Sequence, residues 1–295
     1  MFVTVSPDGR HIAWAGGSNQ QVWMEKDDGS EAHALGAPPP QGVTQLTWTH
    51  FGLLEDGTFT LSLLSQKGKQ IRIGVVGDVQ FSVGGVHVAS GRFSCGSCEG
   101  PVTVYNIHTH TAVHLGDPHF QNGDPALSPD GTRVAYRSRR GVVVQPAAGV
   151  PTRLLAGGSC NISWSPDGKT LAFGSTGIAT EPARGGPLTV LIAPSRGATC
   201  VGNAVPAWSP DSGALAFVRV SSRAGSSRWI QQLAVVDVRS HALRLTARRL
   251  GTVTSYAWSR DGKSIFAVFR SGNCGAIRRL AVTTLTGSVV YHGCG

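Results

Sequence analysis

The stretch Trp164–Phe173 reads WSPDGKTLAF, and it decides the fold of this chain. A large apolar residue ends one strand, Ser-Pro-Asp-Gly forms a tight turn, and Leu-Ala-Phe continues as the next strand. Proline suits the second position of a type I turn, aspartate accepts hydrogen bonds from nearby amides, and glycine adopts the positive φ that closes a hairpin. The stretch therefore predicts a β-hairpin whose aspartate forms the turn and has no reactive role.

The same strand-turn-strand pattern recurs along the whole chain. Its seven turns begin at Ser6, Thr49, Ser82, Ser128, Ser165, Ser209 and Ser259. The turns at Thr49 and Ser82 lack both the proline and the aspartate, the turn at Ser259 has arginine in place of the proline, and the spacing between turns is 33 to 50 residues. A repeat of roughly 40 residues with four short strands is typical of a β-propeller blade. We therefore predict an all-β, seven-bladed β-propeller of four-stranded antiparallel blades, with six blades as the alternative.

The length of 295 residues agrees with this architecture. A single compact core of that size would be near its limit, whereas each blade of a propeller packs only on its neighbours. We predict one domain, residues 1–295, without a linker. Its blades are expected at about 1–41, 42–75, 76–118, 119–156, 157–196, 197–249 and 250–295.

The start of the chain carries no recognisable signal peptide, and no apolar run approaches the ~18 residues that a membrane span needs. Residues 1–5 already read as the first strand of blade 1. Two explanations stay open: either the protein begins there, or an export signal, anchor or upstream domain precedes it.

This motif resembles the WD40-like repeats (PD40 type) of TolB-like β-propellers. The residues that carry the resemblance are Trp164–Phe173 and their counterparts at 208–217 and 258–267. The resemblance covers nearly the whole chain and implies a β-propeller fold. This sequence differs from TolB in having seven repeat units instead of six and no separate domain ahead of the propeller.

The cysteines indicate an oxidising compartment. Because strands alternate in direction, the Ser-Pro-Asp-Gly turns lie at one end of each blade, and the second-to-third loops and the links between blades lie at the other, the inter-blade end. All six cysteines fall at the inter-blade end. Six cysteines allow 15 pairings, and we predict the disulfides Cys95–Cys98, Cys160–Cys200 and Cys274–Cys294. The implied location is extracytoplasmic: secreted, periplasmic or cell-surface. A redox pair at Cys95 and Cys98, or six reduced thiols, are the alternatives.

The positive charge is concentrated in the second part of the chain. Residues 1–120 carry 6 basic and 10 acidic residues, whereas residues 121–295 carry 20 and 7. Arginine is suited to bidentate contacts with carboxylate or phosphate. We predict an anion-binding surface in loops of the inter-blade end, formed by Arg137, Arg139, Arg140, Arg223, Arg228 and Arg270. The alternative is an ordinary solvated surface. Nucleic acid is not predicted, because aromatic residues do not alternate with these arginines.

No catalytic or metal-binding motif stands out. Four histidines cluster at His108, His110, His114 and His119, but Asp117 is the only carboxylate near them, so we predict neither a metal nor a cofactor. Asn161–Ser163 matches a glycosylation sequon, which we interpret as coincidental in an inner strand. Nucleophile-elbow, zinc-protease and phosphate-loop motifs are absent from the sequence.

The sequence therefore favours a non-catalytic, extracytoplasmic binding or scaffold propeller. We expect a monomer that recognises a protein partner or an anionic glycan or surface through its inter-blade loops. Two alternatives stay open. One is a propeller enzyme of the lyase, lactonase or quinoprotein type, and the other is the accessory propeller of a larger peptidase-like protein; the fold alone does not choose between them.

Overall fold

Seven four-stranded antiparallel sheets make up the described part of the chain, in which no α-helix occurs. Accordingly, no described helix has the length and apolar character needed to cross a membrane. The computed structural model describes residues 1–16, 21–37, 43, 45–49, 52–57, 60–65, 69–75, 79–92, 100–117, 119, 123–149, 153–155, 161–174, 177–193, 205–222, 229–247 and 250–294. In each sheet the strands follow their order in the sequence. The predicted seven blades are confirmed, and the alternative of six is wrong.

Each predicted blade contains one sheet, with strands numbered in chain order. Blade 1 contains β1 (Phe2–Val5), β2 (His11–Gly16), β3 (Gln21–Lys26) and β4 (His33–Ala34). Blade 2 contains β5 (Gln45–Thr49), β6 (Gly52–Gly57), β7 (Thr60–Leu64) and β8 (Gln70–Val75). Blade 3 contains β9 (Val79–Gly84), β10 (His87–Arg92), β11 (Val102–Asn106) and β12 (Thr111–Leu115). Blade 4 contains β13 (Gly123–Leu127), β14 (Arg133–Ser138), β15 (Gly141–Pro146) and β16 (Arg153–Leu154). Blade 5 contains β17 (Ile162–Trp164), β18 (Thr170–Gly174), β19 (Ile178–Pro182) and β20 (Thr189–Ile192). Blade 6 contains β21 (Ala207–Trp208), β22 (Ala214–Ser222), β23 (Trp229–Asp237) and β24 (Leu243–Leu245). Blade 7 contains β25 (Thr252–Trp258), β26 (Ser264–Ser271), β27 (Cys274–Ala281) and β28 (Gly287–Cys294).

The blades belong to two compact units. The first unit comprises Met1–Val76, Val218–Val236 and Ala242–Gly295, and it contains blades 1, 2 and 7. The second comprises Gly77–Phe217 and Asp237–His241, and it contains blades 3, 4 and 5. Blade 6 contributes strands to both. A single domain over residues 1–295 stays a prediction.

In the first unit, blade 1 packs against both blade 7 and blade 2. The backbone N–H of Val3 donates to Ser255 Oγ of blade 7 at 3.1 Å, and the N–H of Trp48 in blade 2 donates to Thr4 Oγ1 at 3.4 Å. Apolar side chains from blades 7 and 1 share one buried cluster, which comprises Val3, Ile12, Trp14, Phe266, Val268 and Ile277. The chain therefore brings its first and last blades together through a common core.

In the second unit, the tryptophans that precede two of the turns connect neighbouring blades. Trp164 Nε1 in blade 5 donates to the carbonyl of Ala126 in blade 4 at 2.8 Å. Trp208 Nε1 in blade 6 makes the same kind of bond to the carbonyl of Ser163 in blade 5, at 3.4 Å. The indole N–H therefore satisfies a backbone carbonyl of the preceding inner strand, and the ring fills the gap between the two sheets.

The five motif aspartates form the turns, as predicted. Each accepts a hydrogen bond from the serine hydroxyl two residues earlier at 2.5 to 2.7 Å and from the backbone N–H two residues later at 3.0 to 3.1 Å; they are Asp8, Asp130, Asp167, Asp211 and Asp261. The serine hydroxyl is the main reason why the pKa is lowered in four of them, namely Asp8, Asp130, Asp211 and Asp261. These carboxylates therefore stay ionised and hydrogen-bonded at neutral pH.

The turns of blades 3 and 4 meet backbone to backbone. The N–H of Gly85 donates to the carbonyl of Pro129 at 3.0 Å. A Cβ on Gly84 would lie 2.1 Å from the carbonyl oxygen of Ser128, and a Cβ on Gly131 would lie 2.2 Å from that of Gly84. This approach leaves no room for a side chain at Gly84, which is where the third turn departs from the Pro-Asp pattern.

Replacing Gly84 by alanine is expected to destabilise the protein by about 1–3 kcal/mol, because the added methyl group forces two backbones apart. Urea unfolding followed by tryptophan fluorescence would measure the change. Gly213→Ala is the matched control, since a Cβ there would meet only the adjustable carboxylate of Asp211, at 3.3 Å. Equal stability of the two variants would contradict the close contact between the turns.

Candidate functional site

The inter-blade end of blade 4 carries the densest group of described arginines. Strands β14 and β15 are joined by a two-residue turn in which Ser138 pairs with Gly141. Ser138 Oγ donates to the carbonyl of Gly141 at 2.8 Å and accepts the N–H of Arg140 at 3.2 Å. The serine thus fixes the turn from within, and the side chains of Arg139 and Arg140 are exposed at its tip.

Arg137 lies in strand β14, directly before this turn, and the prediction that it is a loop residue is wrong. Its Cα pairs with that of Gly123 in β13. Its Nε donates to Asp124 Oδ2 at 3.2 Å, and its side chain is 28% exposed. The strand therefore directs Arg137 toward the inner strand of its own blade, where it meets a carboxylate.

Asp124 is the buried member of this pair. Its side chain is only 4% exposed, and Oδ1 has no hydrogen-bond partner among the described residues. Burial raises the pKa of this carboxyl, whereas Arg137 and the backbone N–H of Asn161 act in the opposite direction. Loss of hydration thus outweighs the ion pair, so the carboxyl is easier to protonate than an exposed aspartate.

The backbone around Asp124 is also unusual. Asp124 has φ of 52°, and Asn161, at the start of blade 5, has φ of 50°. Between Gly123 and Ala126 the pairing of β13 with β14 shifts register. Non-glycine residues in this left-handed region are uncommon, and backbone strain often concentrates at functional sites. Asn161 is itself buried, with 2% exposure, which agrees with the interpretation of its sequon as coincidental.

We refer to Asp124, Arg137, Arg139 and Arg140 as the blade-4 arginine site. Sequence reasoning identified its three arginines but missed Asp124. A signal was present, because Asp124 is one of the few acidic residues after position 120 that lies outside the repeated turns. Its proximity to Arg137 depends on a bulge in β13, and local sequence patterns do not specify that bulge.

The other predicted arginines do not extend this site among the described residues. Arg270 is exposed near the end of β26 in the first compact unit, and it too is a strand residue rather than a loop residue. Arg223 and Arg228 lie outside the described residues. An anion-binding surface formed by all six arginines stays a prediction.

One of the three predicted disulfides falls within the described residues and is confirmed. Cys274 and Cys294 are directly paired across β27 and β28, with a Cα–Cα distance of 4.0 Å, and their sulfurs are bonded. His292 lies close to both sulfurs, since the three potential ligand atoms are all within 4.8 Å of one another. The bond between the sulfurs occupies them, so the trio does not form a metal site in this state. Cys95, Cys98, Cys160 and Cys200 lie outside the described residues.

The histidine cluster on blade 3 is engaged in local hydrogen bonds. Nδ1 of His110 pairs with the hydroxyl of Tyr105 at 2.8 Å, and Nδ1 of His114 pairs with Thr103 Oγ1 at 3.0 Å. The backbone N–H of His119 donates to Asp117 Oδ1 at 2.9 Å. These contacts occur along one hairpin and do not direct several imidazoles at a common point.

The turn end of the same blades carries contacts between blades. The guanidinium of Arg133 lies 4.8 Å from the centre of the Trp164 ring, and its Nη2 donates to the carbonyl of Gly168 at 3.2 Å. The N–H of Asp167 donates to Ser212 Oγ of blade 6 at 3.2 Å. In the second unit the turn end therefore holds blades together, whereas the inter-blade end presents unpaired charge.

Neither a protein-family model nor a curated protein sequence matches the chain. Solved structures do. The β-propeller domain of Cps50 (Swd1) from Myceliophteria thermophila has 14% identity and a TM-score of 0.69 over 95% of this chain and 96% of that one. Puromycin hydrolase has 15% identity and a TM-score of 0.65 over 99% of this chain but 53% of its own length, so this chain spans about half of it.

A putative TolB from Agrobacterium tumefaciens has 16% identity and a TM-score of 0.51 over 77% of this chain and 86% of that one. The similar structures thus include a hydrolase as well as TolB and Swd1 propellers, and identities this low show the fold alone. Together with the seven sheets, these similarities show that the chain is a seven-bladed β-propeller whose fold is similar to those of TolB and WD40-type propellers.

Proposed function

We propose that this protein is a non-catalytic binding propeller that recognises an anionic ligand through the blade-4 arginine site. The observation that carries the proposal is the turn between Ser138 and Gly141, which exposes Arg139 and Arg140 side by side on a rigid hairpin. Loops held by a rigid scaffold are frequent carriers of binding function. Guanidinium groups in this setting bind carboxylate, sulfate or phosphate groups through charge-assisted hydrogen bonds.

The charge of the surroundings supports this assignment. Of the 17 acidic residues in the chain, only 7 lie after position 120, and four of those belong to the turns at the other end of the blades. An approaching anion therefore meets little repulsion from acidic side chains of these blades. The net positive field would also accelerate association with a polyanion at low salt.

The proposed compartment is extracytoplasmic. Support comes from the Cys274–Cys294 disulfide, because structural disulfides persist mainly in oxidising environments. A single monomeric domain that binds a polyanion outside the cytoplasm would be consistent with this disulfide and with the charge distribution.

Removing the two exposed arginines tests the proposal. Arg139→Ala/Arg140→Ala should bind fluorescein-labelled dextran sulfate about tenfold more weakly, since each exposed ion pair contributes roughly 0.5–1 kcal/mol. Fluorescence anisotropy titrations would measure the dissociation constant. Binding by the wild-type protein should also weaken as salt is raised, because exposed charges are screened.

The matched control removes the same charge elsewhere. Arg239→Ala/Arg260→Ala deletes two exposed arginines, which lie in a β23–β24 turn and in a Ser-Arg-Asp-Gly turn at the other end of their blades. This variant should bind dextran sulfate nearly as well as the wild type. Equal weakening of both double variants, or no binding by the wild type at low salt, would refute an anion site at blade 4.

A further inference from the structure

The blade-4 arginine site contains its own anion. Asp124 places a carboxylate on Arg137 at 3.2 Å, in the position that a ligand carboxylate or sulfate would take. Within the described part of the chain, Arg137 bonds only through Nε, so its two amino groups remain available at a side chain that is 28% exposed. The guanidinium is thus shared between an internal partner and the solvent.

The burial and the backbone conformation of Asp124 are both energetically unfavourable. Its Oδ1 is buried without a hydrogen-bond partner in the described residues. A buried acceptor without a hydrogen-bond partner destabilises the fold, and more so when it is charged. The left-handed φ of 52° at Asp124 and the register shift beside it add strain. Packing alone would be better served by an apolar residue at this position, so these features together indicate a role for the carboxyl group.

We propose that Asp124 is the specificity-determining residue of the anion site, because its carboxylate competes with the anionic ligand for Arg137. Binding of the ligand is then coupled to the binding of a proton by the Asp124 carboxyl group. This inference rests on the proposed function, because it describes how the same arginine site is regulated. When the carboxyl is ionised it neutralises Arg137. When it is protonated, Arg137 presents its full charge to an incoming anion.

The direction of the pH dependence follows from linkage. A ligand that prefers the protonated form must be bound more tightly as the pH falls through the pKa of Asp124, by up to about tenfold per pH unit, until the carboxyl is protonated without it. Since burial raises the pKa of Asp124, this change lies above the ordinary range near ~3.9 for aspartate. Anion binding in turn raises the pKa further, because the two effects are reciprocal.

Few other charged groups face Asp124. Strands β9, β10, β14 and β17 pack against β13. Strands β9 and β17 contain no titratable or charged residue. Strand β14 contributes Arg137, with Arg133 and Tyr136 further along it, and β10 contributes His87 at its opposite end. The side chain of Arg92, also in β10, lies outside the described residues. Arg137 is therefore the charged group that contacts Asp124 in the described part of the chain, and burial outweighs its effect on the pKa of Asp124.

The experiment compares the wild type with Asp124→Asn, which keeps the shape of the side chain and can still accept the Arg137 bond. The probe is fluorescein-labelled dextran sulfate, since its sulfate groups stay ionised throughout. At about pH 7.5 the variant should bind at least about fivefold more tightly than the wild type, and the two dissociation constants should converge as the pH falls through the raised pKa of Asp124. Both proteins share every other titratable residue, so the ratio of the two dissociation constants isolates Asp124.

The possible outcomes distinguish the proton coupling at Asp124 from the proposed anion-binding function on which it rests. A constant affinity ratio across the pH range, with binding still weakened by Arg139→Ala/Arg140→Ala, would overturn the proton coupling and leave the anion site intact. Loss of binding in all proteins would remove the anion site itself. Asp124→Asn/Arg137→Gln should lose the affinity gained by Asp124→Asn, and thermal unfolding of each variant shows whether it is folded.

Discussion

Truncating Phe266 to alanine is expected to lower the free energy of unfolding by about 3–5 kcal/mol, which is the range for large aromatic side chains removed from a packed core. Phe266 is 1% exposed and lies in β26 of blade 7. It packs in one cluster with Val3, Ile12 and Trp14 of blade 1. The guanidinium of Arg279 lies 5.7 Å from the centre of its ring.

The size of this effect follows from where the cavity would form. Val3 of blade 1 and Ser255 of blade 7 are 252 positions apart in the sequence, so the two blades are held together by their shared core and by hydrogen bonds such as the one between these two residues. In repeat folds the stability is approximately a sum of each unit and its interfaces with neighbours. A void at Phe266 therefore weakens both blade 7 and its interface with blade 1.

Guanidinium chloride unfolding would measure the loss. Val113→Ala is a suitable control, because Val113 is 37% exposed on an outer strand and its truncation should cost less than about 0.5 kcal/mol. A change below about 1 kcal/mol for Phe266→Ala would show that the packing between blades 7 and 1 contributes little to stability.

Removing the Cys274–Cys294 bond is expected to lower stability by about 3 kcal/mol, from the entropy of a closed loop of this length. The two cysteines are 20 residues apart and join the hairpin of β27 and β28 at its open end. Strand β28 is the outer strand of blade 7, and most of its residues are exposed or half-buried. Beyond the backbone pairing, Val290 and Tyr291 attach β28 to the core shared by blades 1 and 7, and the disulfide attaches the end of the strand to β27.

Cys274→Ser/Cys294→Ser should therefore unfold at lower denaturant concentration and exchange the amide hydrogens of β28 faster. Adding a phosphine reductant to this double variant provides an internal comparison, since any further loss of stability comes from other disulfides. Peptide mapping without reduction would test the Cys95–Cys98 and Cys160–Cys200 pairings directly. Unchanged stability and exchange in the double variant would mean that strand pairing and the packing of Val290 and Tyr291 hold β28 without the disulfide.

The repeated turns were predictable from the sequence because local interactions form them. In each full copy the hydrogen bonds between the serine hydroxyl, the aspartate carboxylate and the backbone of the turn join residues no more than five positions apart, as in the turn from Ser165 to Thr170. Such short-range hydrogen bonds form in any fold that contains the turn, so both the hairpins and the role of the aspartates were predictable. The seven blades followed from counting these turns.

The contacts of Trp164 and Arg137 were harder to predict from the sequence. The sequence indicated that Trp164 is buried, but its bond to the carbonyl of Ala126 joins residues 38 apart in different blades. The sequence indicated that Arg137 binds an anion, but the anion it meets is Asp124, 13 residues earlier. Both contacts depend on how neighbouring strands are placed, which a local pattern does not encode.

By itself, the sequence of this protein determined the all-β class, the number of blades, the turn chemistry and the Cys274–Cys294 pairing, because each depends on spacing or on contacts within one hairpin. Only the tertiary structure decided that Gly84 must lack a side chain, that Trp164 bonds to the preceding blade and that the buried Asp124 pairs with Arg137. Those features arise where strands from different parts of the chain approach within a few ångströms. Steric exclusion and loss of hydration act there between groups that are distant in sequence.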